Sequence, residues 1–312
     1  MAYRHVPCMS EEVMAYLACS PGKIMVDGTL GGAGHSRRIC RAIQPGGRLI
    51  AIDRDPDALR HAEIELEPWS DNLHLINDTY ANLPEILDDL GISQVHGILL
   101  DLGISRDQIE TSGRGFSFQR DEPLDMRMDG RSDTTAEQLV NTLPEKELVR
   151  LFQEFGEERF ARRIAGAIVR DRQSQPISRS SQLAAIVAKA VPANRRAKRT
   201  LHPATRVFMA LRIAVNQELD HLDRFLDRAQ DCLKPGGRLC ILSFHSLEDR
   251  RVKHRFRDMA TGCTCPTSMP ICRCQGRPVA RLLTRRVVRP SEAEVGANPL
   301  ARSTRLRAIE KR

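Results

Sequence analysis

Three aspartates, Asp27, Asp53 and Asp101, each close a short apolar run: Ile24-Met25-Val26, Leu49-Ile50-Ala51-Ile52 and Ile98-Leu99-Leu100. Carboxylates at the carboxyl ends of parallel strands line the crevice where open α/β sheets hold their ligands. The first run continues as Asp27-Gly28-Thr29-Leu30-Gly31-Gly32-Ala33-Gly34-His35 and then becomes helical from about Ser36. Glycine allows a sharp turn and a close ligand without a Cβ in the way. The N–H groups of the helix start then face that ligand. Asp53 stands 22 residues after Gly31. A nucleotide-binding sheet presents an acid to a ribose diol at a spacing of about 20.

The sign of the charge narrows the ligand. An acid at the start of the turn suits an ammonium or sulfonium, as in S-adenosylmethionine, and repels a pyrophosphate. The loop also has no Gly-Lys-Ser/Thr of the kind a phosphate loop uses. S-adenosylmethionine is therefore favoured over NAD. Between the second and third of these runs, at the end of a further predicted strand, Asn77-Asp78-Thr79-Tyr80 offers a polar edge and a ring to stack on an adenine. Asp101-Leu102-Gly103-Ile104-Ser105 falls where amino-directed methyltransferases keep their acceptor residues. An exocyclic amine attacks poorly because its lone pair is delocalised into the ring. An acceptor at its N–H localises the pair and takes up the developing charge. The alternative is that Asp101 contacts only the cofactor.

Three further groups carry chemistry. Phe116 and Phe118 sit in an Arg/Gly/Ser segment of a chain that is only 4% aromatic. They could stack a splayed-out base or anchor the segment in a core. His245, in Ser243-Phe244-His245-Ser246, could line the substrate pocket or make a structural hydrogen bond. Cys263, Cys265, Cys272 and Cys274 form C-x-C-x6-C-x-C. Four thiolates can hold a structural zinc, although the usual C-x2-C knuckle is absent and free thiols remain the other reading.

Alternating elements must position these residues. The predicted strands are Lys23 to Asp27, Arg48 to Asp53, Asn72 to Asn77 and Gly97 to Asp101. Between them the predicted helices run from His35 to Ile43, Asp57 to Leu66 and Leu83 to Leu90. Asp55 is the expected cap of the second of these, with Pro56 at its first position. This βαβα rhythm indicates a mostly parallel sheet covered on both faces. From Leu102 to Asp133 periodicity stops, and a long loop in a compact domain is usually functional. Helical patterns follow to about Lys198. Ala204 to Leu233 reads as one long helix or two joined ones. A strand Arg238 to Phe244, a helix Leu247 to Met259 and two late strands, Val279 to Val288 and Ser303 to Ile309, complete the chain.

Composition agrees with a large globular fold. The chain has 312 residues, 41% of them hydrophobic, and no apolar run of membrane-span length. Met1 to Ser20 lacks the apolar core of a signal peptide, so a soluble, cytoplasmic protein is expected, with no membrane partner. The net charge is +8. The basic residues cluster at 195–199, at 250–257 and at 281–289, which favours a polyanionic partner. Cys8, Cys19, Cys40, Cys232 and Cys240 are scattered and read as small core residues.

At these residues the chain resembles the bacterial 16S rRNA (cytosine-N4) methyltransferase family, RsmH, also called MraW. The resemblance runs from His5-Val6-Pro7 and Glu11-Glu12-Val13 through the Asp27–His35 loop, Ala51-Ile52-Asp53-Arg54-Asp55-Pro56 and Leu99-Leu100-Asp101-Leu102-Gly103. It continues in Arg114-Gly115-Phe116-Ser117-Phe118, Pro123-Leu124-Asp125-Met126-Arg127-Met128 and Phe155-Gly156-Glu157-Glu158-Arg159. His202-Pro203-Ala204-Thr205-Arg206 and Ser243-Phe244-His245-Ser246-Leu247-Glu248-Asp249-Arg250 carry it toward the C-terminus.

That resemblance implies a class I (Rossmann-like) S-adenosylmethionine-dependent methyltransferase sheet, residues 1–108 and 203–312, with an inserted helical substrate-recognition domain at 109–202. It implies N4-methylation of a cytidine in the decoding region of 16S rRNA within the small ribosomal subunit, cytosine 1402 in standard small-subunit numbering. The family's cofactor contacts fall on Ala33, Gly34, His35, Asp53, Tyr80, Asp101 and Gln108, with Asp101 the catalytic candidate. Ala33 replaces a usual glycine, which is tolerable only if φ is negative there. Tyr80 replaces a common phenylalanine and keeps its stacking face. Monomer and homodimer both stay open. Two other function classes fit the same sheet. An NAD-binding oxidoreductase would be stabilised by NADH and not by S-adenosylhomocysteine. A non-catalytic RNA-binding ribosome assembly factor would transfer no methyl group to partly assembled subunits.

Overall fold

The computed structural model describes residues 7–192, 202–262, 265, 269 and 276–312. The chain folds as two compact units, Met1–Gly103 with Leu219–Arg312, and Ile104–Glu218. The first holds a seven-stranded sheet. Its strands are β1 (Ile24–Asp27), β2 (Arg48–Asp53), β3 (Leu73–Asn77), β4 (Val95–Asp101), β5 (Leu233–Ser243), β6 (Ala280–Leu282) and β7 (Arg305–Lys311). Their spatial order is β3-β2-β1-β4-β5-β7-β6. The first five are mutually parallel; β7 runs antiparallel to β5, and β6 to β7. The chain thus moves outward from β1 to β3 and returns to the other side of β1 at β4. The connections leaving β1 and β4 part there, and that switch point is where such sheets bind ligands.

Alternation explains the burial. Ile50 and Ile52 pack with Val26, Ile98 and Leu100 on one face. Leu49 and Ala51 pack with Met25 and Leu99 on the other. A parallel strand covered on both faces reads as a continuous apolar run, which is why β1, β2 and β4 are legible within two residues of their ends. Asp55 accepts from the Asp57 N–H at 3.1 Å and caps the helix Pro56–Glu65, as its sequence position indicates. The long pattern 204–233 resolves into two helices, Thr205–Asn216 and Glu218–Arg228, broken at Gln217 with φ 49°. Of the two late strands, the first shrinks to Ala280–Leu282, and the second keeps its length two residues further on, at Arg305–Lys311. A helix, Glu292–Ala297, lies between them, and Val288 keeps only an isolated bridge to Leu306.

The second unit is helical and has its own core, including Leu148, Phe152, Ile164, Leu183 and Leu211. It is wider than the expected 109–202. Val207, Phe208 and Leu211 of Thr205–Asn216 are buried in this core, because an apolar helix face joins whichever core completes it. The supposedly structureless stretch after Leu102 contains the helix Arg106–Glu110, started by a reciprocal cap between Ser105 and Gln108.

Its later part is pinned by a buried side chain. Asn216 Nδ2 donates to the carbonyls of Met126 and Arg212 at 2.8 and 2.9 Å, while its Oδ1 accepts from the Met128 N–H at 2.8 Å. Arg114 donates to the carbonyls of Arg127 and Met128.

Cys8, Cys40, Cys232 and Cys240 are buried and Cys19 is half-buried. Burial pushes the thiols of Cys8 and Cys40 up to about 12 and those of Cys19 and Cys232 up to about 11. They are core residues in the neutral form. The Arg195–Arg199 run, His5-Val6 and three of the four clustered cysteines (Cys263, Cys272, Cys274) lie outside the described residues, and the zinc expectation with them. Among the described residues no helix is long and apolar enough to cross a membrane.

Candidate active site

The site grows from the exit of β1. Backbone bonds lace the loop to neighbouring strand ends: the Gly28 N–H donates to Leu99 O and the Leu30 N–H to Ile52 O. Gly28 has no room for a side chain, since a Cβ there would stand 2.4 Å from Leu100 Cδ2. Gly31 takes φ 47°, the left-handed region in which glycine is at no disadvantage. Ala33 shares that conformation at φ 58°, one residue before the helix Gly34–Ile43. This overturns the expectation of negative φ there. The fold supports the left-handed alanine because its methyl is buried and its N–H and C=O are both bonded, to Leu30 O and from Arg37 N.

Two opposing effects meet at that residue. Left-handed alanine costs about 1 kcal/mol relative to glycine, and its buried methyl contributes about 0.8 kcal/mol. Ala33→Gly is therefore expected to change unfolding free energy in urea by less than about 0.5 kcal/mol. A loss beyond about 1 kcal/mol would mean that packing outweighs backbone strain.

The three aspartates do separate things. Asp27 is only 1% exposed. Its Oδ2 accepts from Ser36 Oγ at 2.6 Å and its Oδ1 from the Thr29 N–H at 3.2 Å. It ties the loop to the helix start, so the cation-facing role suggested by its sequence position is taken up by structure. Asp53 is held by the Gly31 N–H on Oδ2 at 2.8 Å and the Asp55 N–H on Oδ1 at 2.9 Å. These backbone donors fix the carboxylate in direction. Asp101 ends β4, and its N–H donates to Thr29 Oγ1 at 2.6 Å. His35 Nε2 stands 3.7 Å from Asp101 Oδ2. Asp101 Oδ1 is buried and has no hydrogen-bond partner among the described residues. A buried acceptor left open costs free energy unless a ligand completes it.

Burial pushes all three carboxyls up: Asp53 to about 6, Asp27 to about 7 and Asp101 to about 8. The neighbouring charges of Asp27 and then Glu248 add to the effect on Asp101. Because its folded value lies above its unfolded one, the folded state binds the extra proton, and Asp101 removes stability as pH rises from about 4 to about 8. The advantage in thermal midpoint of Asp101→Asn over the parent chain is expected to grow between pH 5 and pH 8 in the ligand-free protein. A constant difference across that window would contradict the raised value.

The rim beyond β2 and β3 holds a residue that the sequence does not reveal. His221, on the helix Glu218–Arg228, has Nδ1 3.2 Å from an Arg54 guanidinium nitrogen. Arginine can only donate, so Nδ1 accepts and Nε2 carries the proton. Burial first, then the charges of Arg54 and Arg224, push this histidine down to about 4. No local pattern links two positions 167 residues apart. Tyr80 meets Phe225 of the same helix edge-on, with centroids 5.6 Å apart. Asn77 Nδ2 donates to the carbonyls of Asp53 and Arg54.

The remaining candidates divide. Ala33, Gly34, His35, Asp53, Tyr80 and Asp101 all lie on the sheet unit, on or directly after the carboxyl ends of β1 to β4. Gln108 belongs to the helical unit, where its Oε1 accepts from the Ser105 N–H at 3.0 Å. Phe116 is 7% exposed in the helical core, beneath the Arg114 guanidinium. It anchors the segment, and its burial leaves no face for a base. Phe118 is half-buried, stacked on His202 at 4.6 Å and edge-on to Phe208 at 5.3 Å. His245 Nε2 lies 3.0 Å from Glu248 Oε1, at the start of the helix Ser246–Thr261. Glu248 Oε2 also accepts from the Phe244 N–H at 2.9 Å.

This geometry gathers one buried and two half-buried carboxyl groups, one of them with an open acceptor atom, at the switch point of a parallel sheet. It suits a ligand with cationic and hydroxyl groups and an N–H-bearing reactant.

Comparison with known proteins agrees along the whole chain. The family model described as MraW methylase family matches residues 2–312. A relative from Desulfosudis oleivorans named Ribosomal RNA small subunit methyltransferase H is 53% identical over 311 residues, covering 100% of both chains. One of the same name from Syntrophobacter fumaroxidans is 52% identical and covers 99% of this chain and 97% of its own. Among solved structures, an rRNA methylase from Streptococcus thermophilus aligns at TM-score 0.45 with 11% identity, over 99% of each chain.

Proposed function

Because this chain belongs to the MraW methylase family, we propose that it methylates small-subunit ribosomal RNA, transferring a methyl group from S-adenosylmethionine to the N4 amine of cytidine 1402 of 16S rRNA. The observation that carries this reading is Asp101 Oδ1, a buried acceptor with no partner among the described residues, at the switch point beside the glycine loop. The residues present fit the cofactor: an anchored carboxylate for a ribose diol at Asp53, an aromatic ring at Tyr80, and the open carboxyl oxygen of Asp101 beside the glycine loop. When bound, S-adenosylmethionine supplies a methyl carbon on a positively charged sulfur.

The chain's own residues do the rest. The loop 28–34, tied to β2 and β4, gives the pocket a fixed floor. Asp53 and Tyr80 orient the nucleoside end, and Asp101 receives the N4–H of the cytosine. Accepting that hydrogen bond localises the amine lone pair. A carboxyl raised to about 8 is also near the working pH, where a base takes a proton most effectively. Alignment of amine and methyl carbon supplies most of the acceleration.

The deciding experiment incubates the protein and labelled S-adenosylmethionine with small ribosomal subunits and maps the modified nucleotide. Label at the N4 position of that cytidine supports the reading. Label on another base, or none despite measurable S-adenosylhomocysteine binding, overturns it.

A further inference from the structure

The helical unit carries a groove of about 400 Å³ among the helices Glu145–Glu154, Ala161–Asp171 and Ser180–Ala190. Four cationic side chains border it, Arg162, Arg163, Arg170 and Lys189, all exposed. Two acids, Glu145 and Asp171, accompany them, so the lining is net positive. Arg163, Gly166 or Ala167, and Arg170 recur at helical spacing and share one face. The uncharged lining is Gly166, Ala167, Ile186 and Ala190. At Gly166 a Cβ would stand 3.3 Å from Arg170 Nη1 and 3.4 Å from Glu145 Oε1. The absence of a side chain at Gly166 thus lets the charged ends of Arg170 and Glu145 lie close to the helix backbone.

We propose that this groove cradles phosphodiester groups of the RNA substrate, a proposal that rests on the reading of small-subunit rRNA as that substrate. The side-chain chemistry selects this ligand. Planar guanidinium groups match phosphate oxygens two at a time. No aromatic side chain lines the groove, so it has no platform on which to stack a base. It therefore grips backbone and leaves sequence to be read elsewhere. Glu145 and Asp171 limit how much negative charge the groove accepts.

The test measures binding of the full chain to a 16S decoding-region RNA fragment and to a scrambled fragment across about 50 to 200 mM salt. S-adenosylhomocysteine affinity is measured on the same preparations. Arg163→Ala/Arg170→Ala is expected to weaken both RNAs about tenfold and to reduce the salt slope by about 1 to 2, with cofactor-product affinity unchanged. Glu145→Gln is expected to tighten RNA binding about twofold, by removing one repelling charge. Unchanged affinity and slope in the double variant, or a loss confined to one sequence, overturns the proposal. So does displacement of the RNA by poly-glutamate at equal charge concentration, which would point to an acidic protein. If the double variant loses S-adenosylhomocysteine binding and is thus misfolded, Glu145→Gln decides, and no tightening overturns it. A parent chain that binds RNA through the groove but transfers no methyl group would sink the enzymatic reading and leave the groove standing.

Discussion

Asp101→Ala is expected to lower single-turnover methyl transfer to small subunits by about 10²- to 10⁴-fold at saturating S-adenosylmethionine. The fold should survive. Asp101 makes one backbone bond through its N–H to Thr29 and one long contact to His35. Its carboxyl is held against burial and against the charges of Asp27 and Glu248, so removing it relieves a cost. Loss of activity with retained or raised thermal stability is the signature of a group kept for chemistry. Asp101→Asn refines the assignment, because it keeps an acceptor oxygen but cannot take a proton. If both variants bind S-adenosylhomocysteine more weakly yet turn over normally at saturating cofactor, Asp101 serves only to hold the cofactor. Near-normal turnover of Asp101→Ala in all conditions would remove it from the site altogether.

Asn216→Leu is expected to destabilise the chain by about 3 kcal/mol, a large part of the roughly 5–15 kcal/mol by which a domain is folded. The side chain is 2% exposed and satisfies three backbone groups: Met126 C=O, Arg212 C=O and Met128 N–H. Leucine is of similar size, so the cost comes from backbone groups left buried without partners. Arg212 C=O lies within its own helix, while Met126 and Met128 are 90 and 88 residues away. Met126 is itself held at φ 62°, a conformation a long side chain adopts only when its surroundings enforce it. Asn216→Asp keeps the acceptor for Met128 and loses both donated bonds, and so should also destabilise. Urea unfolding measures both, and a loss below about 1 kcal/mol in Asn216→Leu would show that the segment 123–129 is held by other contacts.

Several elements could be read before any coordinates. β2 is bounded where its apolar run is bounded, at Arg48 and Asp53, because a strand buried on both faces has no polar residue to blur its pattern. The Asp55 cap and the glycine loop are equally local, set by residues a few positions apart. The chain's resemblance to its family could be read from its motif blocks alone, and the family match extends over residues 2–312. Phe116 and Phe118, open in sequence between base stacking and core anchoring, both pack with the helical core, where Phe118 also stacks on His202. Two other assignments failed for a common reason. Thr205–Asn216 looks like part of the C-terminal half, and its apolar face belongs to the helical unit. Ala33 was expected at negative φ, and the surrounding backbone bonds hold it at positive φ.

The sequence by itself determined the order of strands and helices, the turn after β1, and which acids stand at strand ends, because period, cap and glycine signals act within a turn or two of chain. Only the tertiary structure decided which of those acids is a strut and which keeps an open oxygen. It also decided that His221 reaches Arg54 and that four cations on two helices line one groove. Those properties arise from burial and from partners many tens of residues distant, and the free energy that sets them exists only once the chain has closed around them.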